Sequence, residues 1–269
     1  MKLGLSPCPN DTFIFYAMLH GKVDCEGLEF TAEFQDVETL NEMAFVNELP
    51  LTKLSFHAAL HLQQKYLLLD SGAALGRGCG PLLIAKEFLN DEQLAQSLTG
   101  IPGNYTTAHL LLNLFYPIIE KKEVMVFSEI ENSILKNKVK AGVIIHENRF
   151  TYEKKGLKKI CDLGERWESE TQTPIPLGGI FTRNDVPKKT HDAIERIIRR
   201  SVQYAWAHEE EVMQFVKLYS QEMEVEVIKQ HINLYVNSFT ESLGEVGHRA
   251  VFLLHKKWKE LKQKKSTAA

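Results

Sequence analysis

The histidine of AGVIIHENRFTY, residues 141–152, is the side chain in this sequence best placed to do chemistry. An imidazole changes charge close to neutral pH, so His146 can take a proton from a substrate without an extreme environment. Val143, Ile144 and Ile145 form a short apolar run before it, with Gly142 ahead and polar residues behind. The glycine and the β-branched content favour a buried strand over a piece of buried helix. Strand ends border the ligand crevice in open α/β sheets, so this strand would aim His146 at a bound small molecule. A hydrogen-bonded structural histidine is the competing reading.

Three turns carry the remaining polar chemistry: SPCPND (6–11), KLSF (53–56) and PGNYTTA (102–108). Each reads as a strand-to-helix corner, where backbone N–H groups and the helix dipole favour an anion. Lys53 would add positive charge, and the natural guest is a small carboxylate or phosphate. Ordinary helix capping accounts equally for any one corner, with Asn10 or Asp11, Ser55, and Thr106 or Thr107 as caps. Asn10 and Asp11 could instead orient substrate hydroxyls, with capping the favoured role for Asp11.

Other reactive groups are less well supported. Cys8, Cys25, Cys79 and Cys161 are scattered, with no CxxC and no zinc spacing. They read as reduced thiols, and no histidine is singled out to activate Cys8 or Cys79 as a nucleophile. SGAALGRGCG (71–80) is glycine-rich but is followed by proline, with no Lys-Ser or Lys-Thr pair. It is therefore not a phosphate loop, and its glycines mark a close approach of backbone to backbone or ligand. Arg77 there is an anion candidate or a solvated arginine.

The elements that must position these groups alternate between strand and helix. Strands are expected at LGL (3–5), 28–34, LTKLS (51–55), 66–69, 81–85, 97–101, 124–127, 141–146 and 157–161. Helices are expected from residue 11 to Gly21, over 37–45, over FHAALHLQQK (56–65), from Thr106 or Thr107, and over 129–138. PIPLGGIFTR (174–183) reads as a Pro/Gly loop entering a strand. From Pro187 only helices follow, the first with an apolar stripe of Ala193, Ile197, Ile198, Val202 and Ala205. The change of pattern predicts two lobes: 1–95 with 184–269, and 96–183.

At 269 residues the chain can bury about three-quarters of its unfolded surface. Apolar content of 44% and charged content of 25% are ordinary for a soluble globular protein. A net charge of −3 gives no reason to expect nucleic acid. No apolar stretch is long enough to span a membrane, and the N-terminus lacks the apolar core of a secretory signal. A cytoplasmic location is expected. The basic KKWKELKQKK near the end (256–265) reads as a solvated helix end.

SPCPNDTF, DVETLN, LTKLS, ALGRGCGPL, PGNYTTA, AGVIIHENRFTY, WESETQTPIPLGG and LYVNSF together resemble the signature set of the 1,4-dihydroxy-6-naphthoate synthase family. The resemblance runs from about residue 3 to residue 250. It implies an α/β fold of the two-lobed periplasmic-binding-protein type (type II), with a cleft between the lobes. It also implies a carbon–carbon lyase of menaquinone biosynthesis by the futalosine route. That enzyme converts cyclic dehypoxanthine futalosine to 1,4-dihydroxy-6-naphthoate and a dihydroxyacetone fragment.

By the same resemblance His146 matches the general base. Ser55, Thr107 and Ala108 match substrate contacts, with Lys53, Leu54, Thr106 and Asn10 beside them. No metal and no organic cofactor are implied, and the expected partner is a small-molecule carboxylate. The sequence sets no oligomeric state. Two alternatives stand beside this reading: a cytosolic binding module for a small organic anion, and the sibling chorismate dehydratase on the same scaffold.

Overall fold

LGL forms the first strand, β1 (Lys2–Leu5), which has parallel partners on both sides, β2 (Thr31–Phe34) and β3 (Leu51–Ser55). The structure is a computed structural model describing residues 1–220 and 224–268, with side chains through 264. Further along this sheet come β11 (Ile175–Arg183) and β4 (Tyr66–Leu68), both joined antiparallel, and β5 (Ala74–Gly76) also pairs with β11. A second sheet has the order β10 (Lys158–Asp162), β6 (Leu82–Ala85), β9 (Ala141–Ile144), β7 (Thr99–Ile101) and β8 (Lys122–Val124).

Each sheet belongs to its own compact unit. The first unit comprises Met1–Gly76 and Leu177–Glu245, and the second comprises Arg77–Pro176 and Val246–Ala269. These boundaries correct the expected 1–95 and 184–269. β6 was expected in the first lobe, but it hydrogen-bonds to β9 and β10 in the second sheet. Leu177–Arg183 was expected in the second lobe, but this stretch pairs with β3 in the first. The long C-terminal helix α13 (Gly244–Ala268) lies almost wholly in the second unit. Strand partners decide which core a segment joins, and the punctuation that guided the expected boundary does not report them.

In the first unit, α1 (Pro9–Leu19), α2 (Val37–Phe45) and α3 (Phe56–His61) follow β1, β2 and β3. Proline suits the first turn of α1, where its missing N–H has no intrahelical partner to lose. After β11 come α9 (Lys188–Ala207), α10 (Glu209–Tyr219), α11 (Val225–Tyr235) and α12 (Ser238–Glu241). The predicted stripe of α9 is buried, and it packs with Phe13, Ile14, Leu3 and Leu5 in one core. The second unit also carries α4 (Asp91–Gln96), α5 (Thr107–Phe115), α6 (Ile130–Leu135), α7 (Asn148–Thr151) and α8 (Leu163–Thr171). Ile84, Ile144, Ile130, Ile134 and Leu157 form a core there.

Several elements differ from expectation. The strand expected at the end of PIPLGGIFTR is present but has no Pro/Gly loop before it: Ile175–Arg183 is one nine-residue strand. Its Gly178 lies so close to β3 that an added Cβ would fall 2.8 Å from the Leu54 carbonyl oxygen. The strand expected over 124–127 instead ends at Val124, and Phe127–Glu129 is a 3-10 turn. The helix after Ser55 stops at His61, short of Lys65. The basic run lies in α13 as expected, and the side chain of Lys265 is outside the described residues. Among the described residues no helix is long and apolar enough to cross a membrane.

Candidate active site

Strand direction groups the candidate corners. β1 and β3 are parallel, so SPCPND and the end of LTKLS leave the first sheet at the same end. β7 and β9 are also parallel, which brings PGNYTTA and His146 to the same end of the second sheet. In both sheets this is the carboxyl end of those strands, where α/β folds place ligands.

In the first unit, Asn10 and Asp11 lie inside α1, and Cys8 occupies the N-cap position. The expected cap role of Asn10 or Asp11 is corrected: both side chains serve a buried polar network. The Asp11 carboxylate accepts from the Ser6 N–H at 3.0 Å and the Ser6 hydroxyl at 2.7 Å. Its other oxygen accepts from the Asn10 amide at 2.8 Å and the Lys53 ammonium at 2.5 Å. The Lys53 and Asp11 side chains are 6% and 2% exposed, so the positive charge expected for a ligand is already matched within the unit. Asn10 in turn meets His231 Nε2 at 3.0 Å.

Ser55 stands at the start of α3, but its hydroxyl makes no cap bond. Asn41 holds it instead, accepting from the Ser55 N–H at 2.9 Å and donating to the Ser55 hydroxyl at 3.2 Å. The Leu54 side chain is fully buried and its backbone pairs with Gly179, so Leu54 shapes the strand from within.

In the second unit, Thr106 caps α5 as expected: its hydroxyl accepts from the His109 N–H at 3.2 Å and donates to the Gly103 carbonyl at 3.0 Å. Thr107 and Ala108 begin the helix and are buried. His146 lies two residues beyond β9 with φ of 58°, a left-handed conformation uncommon for a side-chain-bearing residue. Its ring meets Phe127 edge to face, with centroids 4.9 Å apart. The Arg149 N–H donates to the His146 carbonyl at 3.3 Å.

Asn148 and Arg149, which follow in HENRFTY, are anchored to buried carboxylates. Arg149 donates to Asp162 Oδ2 at 2.6 Å and also to the Gly80 carbonyl. Asp162 Oδ1 caps α8 through the N–H groups of Gly164 and Glu165, at 2.9 and 3.1 Å. Asn148 and Lys155 both donate to Glu131 Oε2 at 2.5 Å.

The glycine-rich segment is a place of close backbone approach, as expected. A Cβ on Gly80 would lie 2.3 Å from Gly164 Cα. Arg77 is exposed and lies 3.6 Å from Glu168. Burial pushes the Cys79 thiol up to about 12, which leaves almost no thiolate at neutral pH and removes it as a nucleophile. On α9, His191, Asp192 and Glu195 are clustered but already engaged, with Thr182, Lys188 and the Asp70 N–H respectively.

Residue-by-residue reading missed Asn41, His231, Phe127, Arg149 and Asp162. Asn41 and Arg149 stand inside the motifs DVETLN and AGVIIHENRFTY, so the motifs themselves carried a signal for them. His231 sits one turn after Ile228 on a buried helix face and gives no such signal.

These features define a periplasmic-binding-protein-like fold. A Candida albicans protein described as exhibiting the generic periplasmic binding protein fold matches with TM-score 0.68 at 14% identity, covering 95% of this chain and 89% of that one. The ligand-binding component of an ABC-type import system from Staphylococcus aureus matches with TM-score 0.70 at 12% identity, covering 96% and 91%. An Archaeoglobus fulgidus protein is nearer, with TM-score 0.89 and 35% identity over 99% of this chain and 97% of that one.

The chain belongs to the menaquinone biosynthesis family, whose model matches residues 1–260. It is 44% identical over 251 residues to the 1,4-dihydroxy-6-naphthoate synthase of Thermus thermophilus, covering 93% of this chain and 91% of that protein. It is 40% identical to the Streptomyces coelicolor protein of the same name, covering 93% and 90%. The resemblance read from the motifs is therefore shown.

Proposed function

We propose that this protein is a cytoplasmic carbon–carbon lyase, a 1,4-dihydroxy-6-naphthoate synthase acting on cyclic dehypoxanthine futalosine. The products are 1,4-dihydroxy-6-naphthoate and a dihydroxyacetone fragment, formed without a metal or organic cofactor. One observation carries the mechanism: His146 stands at the same sheet end as PGNYTTA, on a left-handed corner tied to buried carboxylates. A neutral imidazole there takes a proton from the sugar-derived part of the substrate, and elimination breaks the carbon–carbon bond. General-base assistance of this kind is typically worth 10²–10⁴-fold.

A helix-start corner supplies a home for the substrate carboxylate. Ser55, Thr107 and Ala108 are assigned as substrate contacts on the family resemblance, with Lys53, Leu54, Thr106 and Asn10 as further substrate-binding residues. Asn41 holds the Ser55 hydroxyl in place, which supports a fixed rather than a mobile contact.

The test is incubation of the purified protein with cyclic dehypoxanthine futalosine and, separately, with chorismate, followed by mass spectrometry. Naphthoate product from the first substrate, lost in His146→Asn, is the expected result. Turnover of chorismate instead would reassign the chain to the sibling dehydratase. Binding without any product would favour a binding module, a reading that the fold shared with the Staphylococcus aureus import component keeps in play.

A further inference from the structure

We propose that Arg149, seated between Asp162 and the Gly80 carbonyl, is a positioning residue that fixes the corner bearing His146. The proposal rests on the reading of His146 as the base and names the group that sets its geometry. His146 adopts φ of 58°, a conformation that persists only where the surroundings hold it. α7 follows with four residues, too short to be stable by itself. The corner must therefore be held from outside.

Arg149 does this through two charge-assisted contacts, one to a carboxylate and one to a carbonyl, while its own N–H bonds the His146 carbonyl. The seat is rigid. The Asp162 side chain is fully buried, and its second oxygen is used by two N–H groups of α8. Gly80 is pressed against Gly164 at the same place. Asn148, bonded to buried Glu131, restrains the same turn from the α6 side. With the backbone fixed at residues 146, 148 and 149, Phe127 needs only to limit the ring.

The test uses Arg149→Met, which keeps length and removes every side-chain donor while leaving the backbone N–H. Asp162→Asn is its complement, keeping an oxygen to cap α8 while removing the charge. A proton acceptor displaced by about 1 Å loses on the order of 10²-fold in rate. A fall of that order in kcat with KM nearly unchanged is expected for both variants, and the double variant should be no worse than either. Added guanidinium should restore part of the activity of Arg149→Ala. The ring resonance of His146, assigned by its disappearance in His146→Asn, should shift or broaden in Arg149→Met.

Unchanged kcat in folded Arg149→Met and Asp162→Asn overturns the proposal. Should Arg149→Met fail to fold, Arg149→Lys, which keeps the charge but not the paired geometry, decides by the same kcat. If His146→Asn itself turns over normally, the base assignment fails. The ring resonance would then still report whether Arg149 holds the corner.

Discussion

Gly80 and Gly164 meet backbone to backbone: a Cβ on Gly164 would lie 2.6 Å from Gly80 Cα and 2.8 Å from its nitrogen. This contact joins the glycine-rich segment to the first turn of α8, where Asp162 caps the helix. Alanine in a helix is worth about 1 kcal/mol over glycine, so Gly164→Ala would stabilise an isolated α8. In the protein it must instead separate two backbones, at a cost of about 1–3 kcal/mol or more. Thermal unfolding should therefore show both Gly164→Ala and Gly80→Ala melting below the parent. A melting point at or above the parent would mean that the approach is loose.

Lys53 and Asp11 form a buried pair whose members cannot be removed singly. Lys53→Met leaves a carboxylate uncompensated and should cost about 3–5 kcal/mol in a denaturant titration. Lys53→Met combined with Asp11→Asn should recover much of that loss. Additive costs in the double-mutant cycle would show that the two charges do not depend on each other.

Acid stability is expected to involve Glu211. Hydrogen bonds from Lys22, Tyr16 and Tyr204 hold its carboxyl at about 2 against an ordinary 4.5. The folded value lies below the unfolded one, so the stabilisation is complete above pH 4.5. It is lost as the pH falls toward about 2. Urea midpoints should place Glu211→Gln below the parent at pH 7, with the gap closing over that acid range. A gap independent of pH would assign the effect to packing alone.

The corner at His146 sets the order of its substitutions. Asparagine tolerates the left-handed region, whereas a β-branched residue is strained there. His146→Asn should thus fold about as well as the parent, and His146→Val should be about 1–2 kcal/mol less stable. Both should lack turnover. Calorimetry beside the activity assay separates the backbone cost from the missing imidazole, and equal melting of the two variants would argue against strain at this position.

Much of this arrangement was legible in the sequence because it is local. The Thr106–Thr107 pair announces a cap, which Thr106 supplies, the stripe on α9 announces its buried face, and the apolar run of β9 leads to His146. What was not legible depends on distant partners. Pro176 and the glycines of PIPLGG read as a loop, yet Gly178 is there so that β11 can lie against Leu54. Asn10 and Asp11 read as caps because their types favour helix starts. Their actual partners, His231 and Lys53, are 221 and 42 residues away. The expected boundary at residue 95 failed for the same reason, since hydrogen bonding to β9 and β10 decides where β6 belongs.

The central place of β11, between β3 and β4, has a consequence for biosynthesis. A nascent chain emerging from the ribosome has already made β1 to β5, but this sheet lacks its middle member until residue 183 has left the tunnel. Its hydrophobic partners on α9 arrive later still, so the earliest-made segment is among the last to be sealed. The intervening stretch, by contrast, contains every strand of its own sheet in one continuous run. Premature release near residue 176 would leave β3, β4 and β5 without the strand they pair with, and such unpaired edges aggregate.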